Sequence, residues 1–266
     1  MSDLVQYERR HDAVWLTMNR PQVRNALSRE HITAIRSAME RAANDEGARA
    51  IVLAGADPVF CAGADINQYR EVSDRNQVMK DGALLRDLLD YMMRCPLPIV
   101  ARVQRAAFGG AMGLISASDV AIAAEGTRFS LSEARLGIVP AVISEAVLAA
   151  LGPRNARQLM LRSEPFGTDE ALKIGLIQEV VAGDELDGAV EEVIDQFRAG
   201  APGALARIKT LLYTLTQSNV GPEGKRSMIL ELAADRRESD EGQEGLRSFI
   251  EKRKPAWAEP EQEPGT

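Results

Sequence analysis

Apolar and polar residues alternate with a period of two along Leu4–Arg9 and again along Ala13–Asn19, which predicts two strands joined by a short polar turn. The rhythm then changes. Ser28 stands where a helix N-cap belongs, and Ile32, Ile35, Ala38 and Met39 follow at helical spacing. The apolar run Ala50–Ala54 reads as a buried strand ended by Gly55-Ala56-Asp57-Pro58. A strong helical pattern covers Asn76–Met93, with Leu84, Leu85, Leu88, Leu89 and Met92 on one side. Pro96 and Pro98 stop it, and Ile99–Val103 resumes as a strand.

Strand and helix patterns keep alternating to about Val181, the arrangement expected of an α/β domain. Beyond Gly183 nearly everything reads as helix: Leu186–Phe197, Ala204–Thr214, Ser227–Glu238 and Gly242–Lys252. The change in patterning divides the chain into a main α/β domain over 1–199, a helical region over 200–256 and a frayed tail over 257–266.

Composition narrows the choice of ligand. The net charge of −7 offers no general attraction for nucleic acid or anionic membranes, so an anionic ligand must be held by local features. Cys61 and Cys95, the only cysteines in 266 residues, do not make a secreted disulfide framework. His11 and His31 show no metal-ligand spacing relative to them. The N-terminus has no basic segment followed by an apolar one. Ala106–Ala124, the longest weakly charged stretch, holds Asp119, serines and glycines and reads as turn, helix and strand, not as a membrane span. A cytoplasmic protein without nucleic-acid or membrane partners is the expectation.

Three segments carry candidate chemistry. Phe60-Cys61-Ala62-Gly63-Ala64-Asp65-Ile66 follows a strand, and its small residues permit close backbone approach to a ligand. Phe108-Gly109-Gly110-Ala111-Met112-Gly113-Leu114 leads into an apolar helix, whose uncovered N-terminal amides favour developing negative charge. Taken alone, each loop more often serves a turn or tight helix packing. Neither fits a nucleotide fingerprint, and no Gly-x-Ser-x-Gly supports a nucleophilic serine. In Phe129–Pro140, Glu133 sits among small and apolar residues, where desolvation would bring a carboxylic acid toward working pH. An ion pair with Arg128 or Arg135 is the competing reading.

Taken together, these segments resemble the enoyl-CoA hydratase/isomerase (crotonase) superfamily over nearly the whole chain. The likeness begins at Asn19-Arg20-Pro21-Gln22-Val23-Arg24-Asn25-Ala26-Leu27 and runs through Ala62–Ile66, Pro98–Asp119 and Phe129–Pro140 to Ala171–Ile177 and Glu251-Lys252-Arg253. It implies an α/β fold, a spiral of ββα units with a C-terminal helical region used in trimer assembly, as a trimer or a dimer of trimers. The substrate implied is an acyl-CoA thioester, with coenzyme A part of the substrate and no further cofactor required. The N–H groups of Ala64 and Gly110 would form the oxyanion hole and Glu133 would move the proton. The resemblance also implies contacts to coenzyme A from Arg24, Ala26, Ala62, Asp65 and Ile66. Phe249 and Lys252 match positions that reach the coenzyme A of a neighbouring subunit. For Phe249 a core place beside Leu246 and Ile250 is the alternative.

One departure matters for the reaction. Hydratases of the family commonly use two glutamates, and the second would fall at Gly113. Val142 and Ile143 replace a usually glycine-rich run and are expected to reshape the acyl pocket. Both departures are similar to those of bacterial methylglutaconyl-CoA hydratase-like members, closest over Gln104–Ser118, Leu131–Ser144 and Glu241–Trp257. Against that subgroup, Arg105 stands for a glycine and Glu145 for a proline. Glu145 is read either as a first-turn helix residue or as the missing carboxylate. Hydration of a branched enoyl-CoA leads. Δ3–Δ2 isomerisation with one glutamate and non-catalytic acyl-CoA binding are the alternatives.

Overall fold

The computed structural model describes residues 4–71, 74–217 and 220–258; the foreseen tail lies outside them beyond Ala258. Strand β1 (Val5–Arg10) pairs antiparallel with β2 (Ala13–Met18), with Tyr7 opposite Leu16. From β2 the sheet continues in parallel through β3 (Ala50–Gly55), β4 (Ile99–Val103), β6 (Val120–Ala124) and β8 (Glu179–Val181). Two short strands that the residue pattern did not announce, β5 (Ala106–Phe108) and β7 (Arg128–Ser130), pair in parallel on their own.

Parallel strands are covered on both faces, and here the alternation sorts residues between two cores. Ile51, Leu53, Ile99, Ala101 and Val103 point to one side. There they meet Ile35 and Met39 of α1 (Arg29–Ala43), Leu88 and Met92 of α3 (Arg75–Arg94), Met112 of α4 (Gly110–Ala117) and Val147 of α5 (Ser144–Arg162). Val52, Val100 and Ile122 point to the other side, against Leu186, Val190 and Ile194 of α7 (Leu186–Arg198). The short helices α2 (Ile66–Glu71) and α6 (Thr168–Lys173) complete the connections. Ser28 caps α1 as its position suggested: its Oγ accepts the His31 N–H at 3.2 Å.

The C-terminal part is helical as expected, in α8 (Pro202–Gln217), α9 (Pro222–Glu238) and α10 (Asp240–Glu251). These helices bury little in the chain itself. Phe249 is 84% exposed, with Ile250 and Leu246 also open to solvent, so the core reading of Phe249 does not hold within one protomer. Apolar spacing fixed the helix, but not what covers its apolar side. No helix among the described residues is long and apolar enough to cross a membrane.

Candidate active site

The two glycine-containing loops are tied to each other before any ligand is considered. Cys61 donates its N–H to Ala106 O at 3.2 Å and accepts from Phe108 N at 3.2 Å, so the first loop runs beside β5. Gly63, at φ +93°, lies so close to the second loop that a methyl on its Cα would sit 2.6 Å from Phe108 O. Only glycine satisfies both the backbone angle and the gap. Arg20 secures the other side: its Nη1 donates to Ala26 O at 2.6 Å and its Nη2 to Asp65 Oδ2 at 2.9 Å. Asn25 is fully buried at φ +56° and donates to Ala56 O and Val59 O. Arg20 and Asn25 are supporting residues that the sequence reading did not single out. Their signal was the Asn-Arg-Pro…Asn-Ala-Leu segment itself, since asparagine is the residue that most readily takes a left-handed turn after glycine.

This clamping leaves two amides over. The bridge between Leu27 and Ala64 is made by Leu27 N donating to Gly63 O at 2.8 Å and Asp65 N donating to Leu27 O at 3.1 Å, which skips the Ala64 N–H. Gly110 is the first residue of α4, where an amide has no intrahelical acceptor. The adjacent Gly109 spends its own N–H on Ser130 O at 2.9 Å and, at φ +52°, turns the chain into the helix. Ala64 and Gly110 both border a cleft of about 120 Å³ that also contains Glu133.

Glu133 reaches the cleft through β7. Its strand pairs with β5, and the chain then enters a 3-10 turn over Glu133–Leu136. The carboxylate lies so near the glycine loop that a methyl on Gly109 would meet Glu133 Oε1 at 3.3 Å. Its Oε2 is buried without a hydrogen-bond partner. The ion-pair reading fails on geometry, because Arg135 faces Glu164 and Arg128 donates to Pro165 O. Burial therefore acts on Glu133 without a cation to offset it and pushes its pKa above the usual 4.5, with only its own backbone N–H pulling the other way. Two consequences follow from the sign. Base catalysis by Glu133 requires the ionised form, so the acid limb of kcat against pH should fall above the ordinary carboxylate range. Because the folded-state pKa is raised, the residue's contribution to stability is lost as pH rises through that value. Glu133→Gln should accordingly melt above the wild type at neutral pH, a shift that thermal denaturation at neutral and acidic pH would measure.

An unpartnered carboxylate sharing a cleft with two unpaired amides suits removal of a proton beside a thioester, and relatives share the framework. The enoyl-CoA hydratase/isomerase family model matches residues 8–260. A protein from Bacillus subtilis described as a probable enoyl-CoA hydratase is 31% identical, over 91% of this chain and 93% of its own. The crystal structure of an enoyl-CoA hydratase from Shewanella pealeana superposes with a TM-score of 0.89 at 36% identity, covering 96% of both chains. The solved structure of Pseudomonas aeruginosa AtuE gives 0.90 at 35% identity, covering 96% of this chain and all of the other. The chain belongs to the enoyl-CoA hydratase/isomerase family. It has the crotonase fold and is an enzyme of the hydratase/isomerase type.

Where this family member departs from the two-glutamate pattern, the structure gives the physical reason. A methyl on Gly113 would lie 2.7 Å from Ile143 Cγ2 and 2.9 Å from Leu89 Cδ1, so the place of a second carboxylate is filled with hydrocarbon. Val142 and Ile143 do line the cleft, and Glu133 is the one carboxylate among its described lining residues. Glu145 fits the first-turn reading. It is exposed in the first turn of α5 and faces Arg86 at 3.3 Å, outside the cleft lining. Glu145→Ala should leave kcat within about a factor of two, as surface ion pairs contribute roughly 0–1 kcal/mol. A loss on the scale of a Glu133 variant in the same assay would restore it as an acid or base. Arg105 adopts φ +57°, a left-handed conformation that a glycine takes freely.

The remaining residues matched to coenzyme A contacts are dispersed. Ala62 and Ile66 line the cleft, and Ile66 is exposed at its mouth. Arg24 is exposed in a left-handed turn at the edge of the same loop. Ala26 is buried with its carbonyl engaged by Arg20 and His31, and Asp65 is buried against Arg20, so both hold the loop together. Phe249 and Lys252 stand on α10 and its end, outside the cleft lining of their own protomer.

Proposed function

We propose that the protein adds water to, or removes it from, a short branched α,β-unsaturated acyl-CoA, with 3-methylglutaconyl-CoA the leading candidate. The observation that carries this reading is the single unpartnered carboxylate of Glu133, held in one cleft with the free amides of Ala64 and Gly110. In this scheme the thioester oxygen accepts from both amides. Glu133 takes a proton from water, the water oxygen bonds to the β-carbon, and the alkene electrons move onto the thioester oxygen as an enolate. Glu133 then returns the proton to the α-carbon. Preorganised donors stabilise the developing charge without reorganising, by roughly 3–4 kcal/mol for each. Val142 and Ile143 form a bulky wall beside this path, which supports a compact acyl group.

The hydrocarbon at Gly113 supports a second reading, Δ3–Δ2 double-bond isomerisation, because moving a proton between two carbons needs one carboxylate and no held water. Purified protein mixed with 3-methylglutaconyl-CoA and a panel of other enoyl-CoAs separates the two. Loss of enoyl absorbance is the result expected of hydration. Unchanged absorbance, with a 3-enoyl-CoA gaining conjugation and deuterium in deuterated water, would replace hydration by isomerisation. The open apolar side of α10 supports assembly into a trimer or a dimer of trimers, placing Phe249 and Lys252 against a neighbour's coenzyme A.

A further inference from the structure

The cleft does not end at the oxyanion hole. Ala64, Leu85 and Val142 wall both the main cleft and a smaller adjoining chamber of about 40 Å³. One side of that chamber is Gly82, in the interior of α3. A glycine inside a helix is less favourable than alanine, and the backbone here is ordinary helix with no left-handed angle to demand it. What its missing side chain leaves is space: a methyl at this position would meet Val142 Cγ2 at 3.3 Å, and anything larger would occupy the chamber.

The far end is polar. Arg29 Nε and Nη2 donate to Asp81 Oδ1 and Oδ2 at 2.5 and 2.7 Å, and Gln77 donates to the same carboxylate at 2.7 Å. The two side chains are 29% and 21% exposed, so their outer sides are hydrated. An alkyl chain pressed against this pair would displace that water and return no hydrogen bond, an unfavourable exchange for two ions.

We propose that the inner chamber takes the distal carbons of the acyl group, that Gly82 keeps it open, and that the Arg29–Asp81 pair closes it to long chains. This rests on the acyl-CoA reading above and adds the residues that set acyl length. A chamber of this volume admits a few heavy atoms, since about 10–15 Å³ accommodates one water.

Calorimetric titration with butyryl-, hexanoyl-, octanoyl- and dodecanoyl-CoA tests it without requiring turnover. Wild-type affinity should rise from butyryl to hexanoyl and then stop rising. Gly82→Leu should weaken hexanoyl-CoA by about tenfold, about 1.4 kcal/mol, and leave butyryl-CoA unchanged. Gly82→Ala, whose methyl would press on Val142 Cγ2, gives a smaller loss in the same sense. Replacing the pair together, Arg29→Leu with Asp81→Leu, should let affinity keep rising through octanoyl-CoA. Equal effects of the Gly82 variants on every chain length, or an unchanged length profile in the paired variant, would overturn the inference and leave the acyl-CoA reading standing. A wild type that binds none of the four thioesters would overturn both.

Discussion

Glu133→Gln should lower kcat by roughly three orders of magnitude while leaving acyl-CoA affinity nearly unchanged. A positioned general acid or base contributes about 10²–10⁴-fold, and here one side chain both removes and returns the proton. No other described residue of the lining can take over, because Glu133 is the one carboxylate among them and the place of a second is filled by Ile143 and Leu89. The amide side chain is nearly isosteric, so the glycine loops and their free N–H groups stay in place. Steady-state kinetics paired with equilibrium binding separate the outcomes. Intact binding with lost turnover fits the account, and it also removes the alternative that the chain is a non-catalytic binder. Equal turnover by the variant would mean that Glu133 is not the proton carrier.

The second large effect is expected at Gly63, a residue that touches no proton. Gly63→Ala must place a methyl 2.6 Å from Phe108 O at a φ of +93°. The neighbouring Phe108–Gly109 backbone cannot yield without disturbing Gly110, since Phe108 N and Gly109 N are both engaged, to Cys61 O and Ser130 O. The amides of Ala64 and Gly110 therefore move together, and loss of one donor is worth about 10²–10³-fold in kcat. Thermal melting distinguishes this from simple unfolding: a cooperatively folded variant with kcat reduced and the pH profile of Glu133 retained is the expected result. Wild-type kcat in that variant would show that the hole is not built as described.

How much of this was visible in the chain depends on how local each feature is. Ser28 as a cap and the helix later seen as α3 are short-range patterns, and the structure places them within a residue or two of the reading. Val52 and Leu53 show the limit of that logic, because a strand buried on both sides has no polar alternation to read and its two cores appear only in three dimensions. The candidate site was legible only through the family resemblance that its three segments carry together, whereas each loop alone was indistinguishable from a packing turn. Contacts between distant segments were not legible. Ile143 against Gly113, Arg86 against Glu145, and Gly82 against Val142 each join parts of the chain whose approach only the packing of α3, α4 and α5 decides. The exposure of Phe249 belongs to the same class, since helical spacing marks an apolar side without saying whether this chain or another covers it.

The central claim is that the amides of Ala64 and Gly110 polarise a thioester carbonyl beside Glu133. Isotope-edited infrared spectroscopy of a bound acyl-CoA labelled at that carbonyl measures it directly. The account predicts a carbonyl stretch at lower frequency than in free acyl-CoA, in the wild type and in Glu133→Gln alike, because the donors are backbone groups present in both. A thioester that binds with its carbonyl stretch unshifted would contradict it.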